Sequence, residues 1–381
     1  MKIRRLSNDI AIKKYIKALD VDRGGVAILA AKHRHYLIEI EELHVGAANI
    51  LKQDALSVGA DLAVPKGTIV AERPRVNALL IGTKRELERL AQKEKLQPFG
   101  LKEVAAYLER ILKLQESKKP QIMGIINAND DSFYSGSRFQ GNDAVATMER
   151  MIEEGADIID VGAVSSRPGA AFVDEDEELE RIRDIADAIY EQKLYEKVRL
   201  SIDSYAPKVI DYVLARGFHI VNDITGLEDD RVCELIAEYN ASAVIMHMQG
   251  NPQTMQNEPS YESVVDEVYA YLHRQTEKAE SYGIKDIILD IGIGFGKTLQ
   301  HNIALLQHLP HFRSLGYPLL VGASRKSMID KISQSSVECR LGGTLALHLY
   351  AARNGADILR VHDVYEHRQA FAVEQALKEF F

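Results

Sequence analysis

QIMGIIN (121–127), DIIDV (157–161), VRLSID (198–203), HIVND (219–223), SAVIMH (242–247), DIILD (286–290), PLLVGAS (318–324) and DILRVH (357–362) are eight short apolar runs. Each closes on polar or charged residues. Continuous Val/Ile/Leu runs are the mark of strands buried on both faces, and such strands pair in parallel when helices alternate with them. Helix-like segments stand between all of them, from DAVATMERMIEEG (143–155) to DVYEHRQAFAVEQALKEF (363–380). Several of these end in glycine (Gly155, Gly217, Gly283 and Gly355), which supplies a left-handed position after a helix. The pattern predicts an α/β chain with a (β/α)8 TIM barrel. In such barrels, chemistry collects at the C-terminal ends of the strands, where the polar residues fall here.

Working outward, 381 residues exceed one barrel of about 250. Residues 1–117 carry their own periodic segments and read as a small N-terminal α/β domain. GGVAILAA (24–31) and HYLIEIEEL (35–43) read as strands of a hairpin turning at Lys32 to Arg34, and NALLIGT (77–83) as another strand. KRELERLAQKEKL (84–96) and LKEVAAYLERILKLQ (101–115) read as helices. The charged stretch LQESKKPQ (114–121) marks the boundary, leaving 118–381 to the barrel.

Charge divides along the same line. Residues 1–119 hold 23 Lys/Arg against 15 Asp/Glu and the remainder 24 against 41, so +8 and −17 make up the net −9. The basic residues are scattered singly, which argues against a nucleic-acid footprint. Two unrelated cysteines, Cys233 and Cys339, give no disulfide framework and point to a reducing compartment. The charged start MKIRRLSNDI is no secretory signal, and no apolar stretch nears the roughly 20 residues that span a bilayer. A cytoplasmic protein with no membrane partner is expected.

The strand-end motifs suggest an anionic and a planar ligand. VGAVSSRPGA (161–170) offers hydroxyls and a guanidinium suited to a phosphate or diphosphate, with a solvated connection as the alternative. DIGIGFGKTLQHN (290–302) alternates glycines before Lys297, although the spacing is neither a Walker loop nor a dinucleotide fingerprint. GASRKSMI (322–329) places two cations and two serines after strand 7, and an exposed basic turn is its bland reading. In RVHD (360–363), Arg360 and His362 alternate to one side of strand 8. Asp203, Asn222 and Asp290 end three strands. They suit a donor-rich heterocycle, acid–base work or helix caps. No zinc spacing occurs, and His247 in MHMQGNP reads as structural.

Residues 120–381 resemble dihydropteroate synthase over the whole barrel. The matching signatures are MGIIN…DSF, IDVGAVSSRPGA, SIDSYAPKVI, VNDI, MHMQGNPQTMQ, ILDIGIGFGK, VGASRKSMI and RVHDV, in order, each at its own strand end. The resemblance implies condensation of a dihydropterin-methyl diphosphate with para-aminobenzoate, giving dihydropteroate and pyrophosphate in folate biosynthesis. It implies a pterin pocket at Asp203, Asn222, Met246, Asp290 and Lys326. The diphosphate site falls on Asn127, Ser166, Arg167, Arg360 and His362, with Mg2+ held at Asn127. The aminobenzoate pocket falls on Phe133, Pro168, Phe295 and Ser327. Asn127, Arg167, Lys326, Arg360 and His362 are implied as catalytic, in a dissociative mechanism whose diphosphate leaves with magnesium's help. Sulfonamide binding and a homodimer are also expected.

The chain departs from the family pattern in its loops. Ala128, Asn129 and Asp130 replace Val-Thr-Pro, and Ser135 stands for an acid. Val164, Ser166, Ile291 and Ile293 differ as well. The alternatives are a pterin-dependent methyltransferase of the corrinoid type and a non-catalytic pterin-binding regulator.

Overall fold

The computed structural model describes residues 1–4, 6–114, 119–127, 137–164 and 173–379, with backbone alone for 137–142. The chain divides into two compact units, 1–115 with 373–381 and 116–372.

The first unit is built on a three-stranded antiparallel sheet of β1 (His35–His44), β2 (Asp61–Ala63) and β3 (Arg75–Thr83), with β3 in the middle. Its core joins the inward residues Ile38, Val76, Ala78 and Leu80 to Ala47, Leu51, Leu87, Leu90 and Leu108 of the covering helices. The helices expected after NALLIGT form as Lys84–Glu94 and Leu101–Lys113. The expected hairpin does not form. GGVAILAA lies in the helix Arg23–Ala30, whose first turn is capped by the Asp22 carboxylate accepting from Gly24 N at 2.8 Å. An apolar run of this length without alternation suits either structure, and the cap decides for the helix. β1 pairs with β3 instead, His35 opposite Thr83. The helix Val45–Val58 and the short β2 had no distinct signal.

The second unit is the barrel. It comprises β4 (Gln121–Asn127), β5 (Ile158–Gly162), β6 (Arg199–Asp203), β7 (Ile220–Asp223), β8 (Ser242–Met246), β9 (Ile287–Asp290), β10 (Leu319–Val321) and β11 (Ile358–Val361). All pair in parallel, and β11 returns to β4 to close the ring. The last helix, Val364–Glu379, ends in residues that cluster with the first unit rather than with the barrel half to which the sequence reading assigned them.

Side-chain alternation explains how a site arises on this ring. Met123, Ile158, Ile220, Val244, Ile288, Leu320 and Ile358 form a separate cluster, one residue from each of seven strands. Their neighbours in sequence, such as Ile122, Ile159, Val221 and Leu359, join the larger core with the outer helices. The separate cluster is therefore the floor inside the barrel. Two residues further along a strand a side chain faces the same way. In five strands that step lands on Asp160, Asn222, Met246, Asp290 and Arg360. On β6 the same step runs from the buried Ser201 to Asp203. An apolar floor thus carries a polar layer directly above it.

Candidate active site

At the centre of the polar layer, Arg360 on β11 bridges two carboxylates. Its Nε donates to Asp160 Oδ2 and its Nη2 to Asp203 Oδ2, both at 2.6 Å. Asp160 Oδ2 also accepts from Asn222 Nδ2 at 3.1 Å. Asp160 is fully buried, and its Oδ1 meets no donor among the described residues. Burial disfavours the Asp203 charge, Arg360 opposes that effect and Asp160 adds to it, so the Asp203 carboxyl is pushed up to about 7. Burial also works against the Arg360 charge, but Asp160 and Asp203 outweigh it and keep the guanidinium ionised. Two carboxylates around one cation leave a surplus of negative charge in a dry place, which is costly without a further partner.

Next to this cluster lies Asp290, at the end of β9. Its Oδ1 accepts from Gly292 N at 2.8 Å, and burial raises its pKa against the pull of Lys326. Lys326 donates to the Ile293 carbonyl and stands 4.6 Å from the Phe295 ring centroid. Burial brings Lys326 down to about 8 although Asp290 favours its charge. Gly292 has φ +67°, and a side chain there would collide with the His247 carbonyl oxygen. Only glycine turns the chain here without moving β8. Lys297, almost wholly buried, donates to Phe295 O at 2.9 Å and to His247 O at 3.2 Å. Burial brings Lys297 down to about 7 although Asp290 favours its charge, and its Nζ is 3.0 Å from His247 Nδ1. Burial and Lys297 lower His247 to about 3, so the imidazole is neutral. These contacts tie His247 to the glycine loop and make Lys297 a clamp on it.

The loop after β10 supplies the third side. Ser324 Oγ is 2.9 Å from His362 Nδ1 and accepts from His362 N at 3.3 Å, linking the ends of β10 and β11. A small pocket opens beside it, lined by Gln256, Gly294, Asn302, Lys326, Ser327 and Lys331. Asn127, half-buried, ends β4 opposite Gly162 of β5.

Of the residues singled out in the sequence, Arg360 is bonded directly to Asp203 and through Asp160 to Asn222, while Asp290, Lys326 and Phe295 cluster beside them. Met246 is buried in the same layer, and Ser327 faces the small pocket. Phe133, Ser166, Arg167 and Pro168 lie outside the described residues. Sequence reasoning placed Asp160 at the polar end of the run DIIDV but gave it no role in the site. Its one signal is the two-residue step from the barrel floor. Ser324 was likewise noticed only as part of its loop.

A family described as "Pterin binding enzyme" matches residues 123–362. A Helicobacter pylori protein named "Bifunctional dihydropteroate synthase/dihydropteroate reductase" is 40% identical over 379 residues, covering 100% of both chains. The chain belongs to the dihydropteroate synthase family. Members are transferases of folate biosynthesis. Among solved structures, the Yersinia pestis dihydropteroate synthase with a sulfonamide drug is 38% identical with a TM-score of 0.63. It covers 68% of this chain and 94% of its own length. The Thermus thermophilus dihydropteroate synthase in complex with 4-aminobenzoate is 39% identical with a TM-score of 0.61, and it covers 68% and 95%. The barrel is thus common to all three, whereas the H. pylori relative matches the first unit too. No helix among the described residues is long and apolar enough to cross a membrane.

Proposed function

We propose that the chain joins 4-aminobenzoate to a dihydropterin-methyl diphosphate, forming dihydropteroate and releasing pyrophosphate. The observation that carries the reading is the convergence of Asp203, Asn222, Asp290 and Lys326 at the barrel mouth, beside an arginine held by two carboxylates. A pterin edge is rich in N–H donors with one carbonyl, and carboxylates paired with a lysine match it. Because Asn222 Nδ2 is engaged by Asp160, its Oδ1 is left to accept from a ring N–H. Met246 lines the apolar face of the ring.

In this reading Arg360 and His362 take the diphosphate, with Ser166 and Arg167 completing the site as the family resemblance implies. The methylene C–O bond breaks first and its electron pair leaves with the diphosphate. The arylamine nitrogen then bonds to the methylene carbon and loses a proton. Charge placed in advance around the departing oxyanion is what lowers such a barrier. Phe133, Pro168, Phe295 and Ser327 would hold the aminobenzoate ring and carboxylate, the small pocket at Ser327 lying between Lys326 and Lys331.

Magnesium fits this arrangement. Mg2+ keeps most of its ligands as water and phosphate oxygens, and the neutral amide oxygen of Asn127 is the one donor the chain would add. Among the described residues no group of three His, Cys, Asp or Glu is assembled into a dedicated cage. The ion would neutralise the leaving diphosphate.

Purified protein given both substrates and magnesium should release pyrophosphate and form dihydropteroate. Pterin binding with no product would favour the regulatory alternative. Light scattering tests the expected homodimer.

A second reading is favoured by one observation. The H. pylori relative matches this chain end to end, the first unit included, and its name carries a dihydropteroate reductase activity. We infer that this chain also reduces dihydropteroate. Incubation of the full chain with dihydropteroate and a reduced nicotinamide donor, with and without flavin, should yield tetrahydropteroate by mass spectrometry. Its absence under all these conditions would reject the second activity and leave the first untouched.

A further inference from the structure

Behind the β10 loop, two histidines from different helices meet out of reach of solvent. His348 lies on the helix Leu341–Arg353 and His367 on Val364–Glu379, and both are 0% exposed. Their rings touch edge to edge, His348 Nδ1 to His367 Nε2 at 2.8 Å. At one end of the pair, Ala323 N donates to His348 Nε2 at 3.1 Å. At the other, His367 Nδ1 is 2.5 Å from the carbonyl oxygen of Asp363.

The two ends dictate every proton between them. A backbone N–H only donates, so His348 Nε2 must be bare and its proton must sit on Nδ1. That proton can only be given to His367 Nε2, which must therefore be bare in turn. His367 then carries its proton on Nδ1 and gives it to the carbonyl, which only accepts. Both rings are neutral and both carry the proton on Nδ1, and a proton added to either Nε2 would set two donors against each other. Burial favours the same neutral state, with His367, Lys326 and His362 adding to the effect at His348. At His367 burial again lowers the pKa, although Asp363 and Glu366 oppose it.

What the pair connects is the loop that carries Lys326. Ala323 begins that loop and Asp363 grips it from the far side. The Asp363 carboxylate accepts from Arg325 Nε at 3.1 Å and from Arg325 Nη2 at 2.5 Å. Arg325 has φ +55°, a left-handed conformation that costs a side-chain-bearing residue free energy and persists only when its surroundings enforce it. Thr344 Oγ1 accepts from its N–H at 2.9 Å and Arg340 Nη1 donates to its carbonyl at 3.0 Å. This turn sends Ser324 toward His362 and Lys326 toward Ile293 and Phe295.

We propose that His348 and His367 are positioning residues, a one-way hydrogen-bond relay from Ala323 to Asp363 that holds the Ser324–Ser327 loop in its ligand-binding shape. The assignment of the loop to ligand binding rests on the proposed function, whereas the proton placement does not.

Two measurements test it. Nitrogen and carbon chemical shifts of the labelled full chain at pH 7 should show both imidazoles neutral with the proton on Nδ1, the less common tautomer of free histidine. The signals are assigned by single substitutions. A proton on Nε2, or a charge on either ring, overturns the relay whatever the enzyme's activity. The second measurement compares two substitutions at one position. His348→Gln keeps an acceptor for Ala323 N–H and a donor for His367, while His348→Leu keeps neither. In the leucine variant the KM for the pterin substrate should rise about tenfold, the equivalent of one lost hydrogen bond, with the glutamine variant close to the unmodified chain. Equal behaviour of the two variants rejects the relay, and if the leucine variant does not fold the tautomer measurement decides alone. Absence of turnover in the unmodified chain would instead reject the proposed function.

Discussion

Arg360 Nε and Asp160 Oδ2 lie 2.6 Å apart across the barrel interior, from residues 200 positions distant in sequence. The same Asp160 oxygen takes the amide of Asn222, so one carboxylate orients both Arg360 and Asn222.

Replacing Asp160 by alanine therefore strands two donors. Each buried donor left without a partner costs about 1–3 kcal/mol. We expect Asp160→Ala to lower the thermal midpoint and to reduce kcat/KM by roughly a hundredfold. Asp160→Asn keeps an acceptor oxygen and should fall between the two. Thermal unfolding and steady-state kinetics check this, and an alanine variant that turns over like the unmodified chain would remove Asp160 from the site.

Burial of Asp203 carries a stability cost at high pH. Its carboxyl titrates at about 7 in the fold but at about 4 in an unfolded chain. A carboxyl raised in this way gives its full stabilisation below about pH 4, and that stabilisation is lost as pH rises through about 7. At pH 8 the ionised group weighs against the fold. Asp203→Asn should then be at least as stable as the unmodified chain at pH 8. It should bind the pterin substrate about a hundredfold more weakly, since charge-assisted hydrogen bonds contribute about 1.5–3 kcal/mol each. A variant that is less stable at pH 8 and binds normally would contradict both halves.

Much of this was legible in the sequence. The floor-to-layer step appears as apolar runs closing on polar residues, which is why Asp203, Asn222, Asp290 and Arg360 stood out. Asp160 was visible as a polar strand end but its role was not, because that depends on a guanidinium arriving from β11. The His348–His367 contact has no local trace either, since it joins faces of two different helices. In the first unit, GGVAILAA was misread because a short unalternating run carries no period, and a single capping aspartate settled it. Local pattern encodes where a side chain points. It does not encode what meets it there.

Lys326 sets the alkaline side of the pH response. Its ammonium is brought down to about 8, so its charge is lost as pH rises past that value, while Asp203 gains its charge above about 7. Affinity for a pterin should follow a narrow bell with limbs near 7 and 8, belonging to the coupled cluster as a whole. Calorimetry with a pterin lacking the diphosphate separates these limbs from titration of the substrate. In Lys326→Met the alkaline limb should vanish, and its persistence would assign that limb elsewhere.

Gly292 and Gly283 both have positive φ, +67° and +83°, but only the first is enclosed. Around Gly283 an added Cβ would meet nothing within 4 Å, whereas at Gly292 it would strike the His247 carbonyl oxygen. Gly283→Ala should thus lose only the left-handed backbone preference, about 1–2 kcal/mol, and leave turnover unchanged. Gly292→Ala must also push β8 away from the glycine loop or break the bond from its N–H to Asp290 Oδ1. Either movement displaces a group of the polar layer. We expect a larger fall in the thermal midpoint together with at least tenfold weaker pterin binding, since shifting one buried hydrogen bond costs about 1–3 kcal/mol. Should both alanine variants lose stability equally and bind alike, the enclosure of Gly292 would have no bearing on the site.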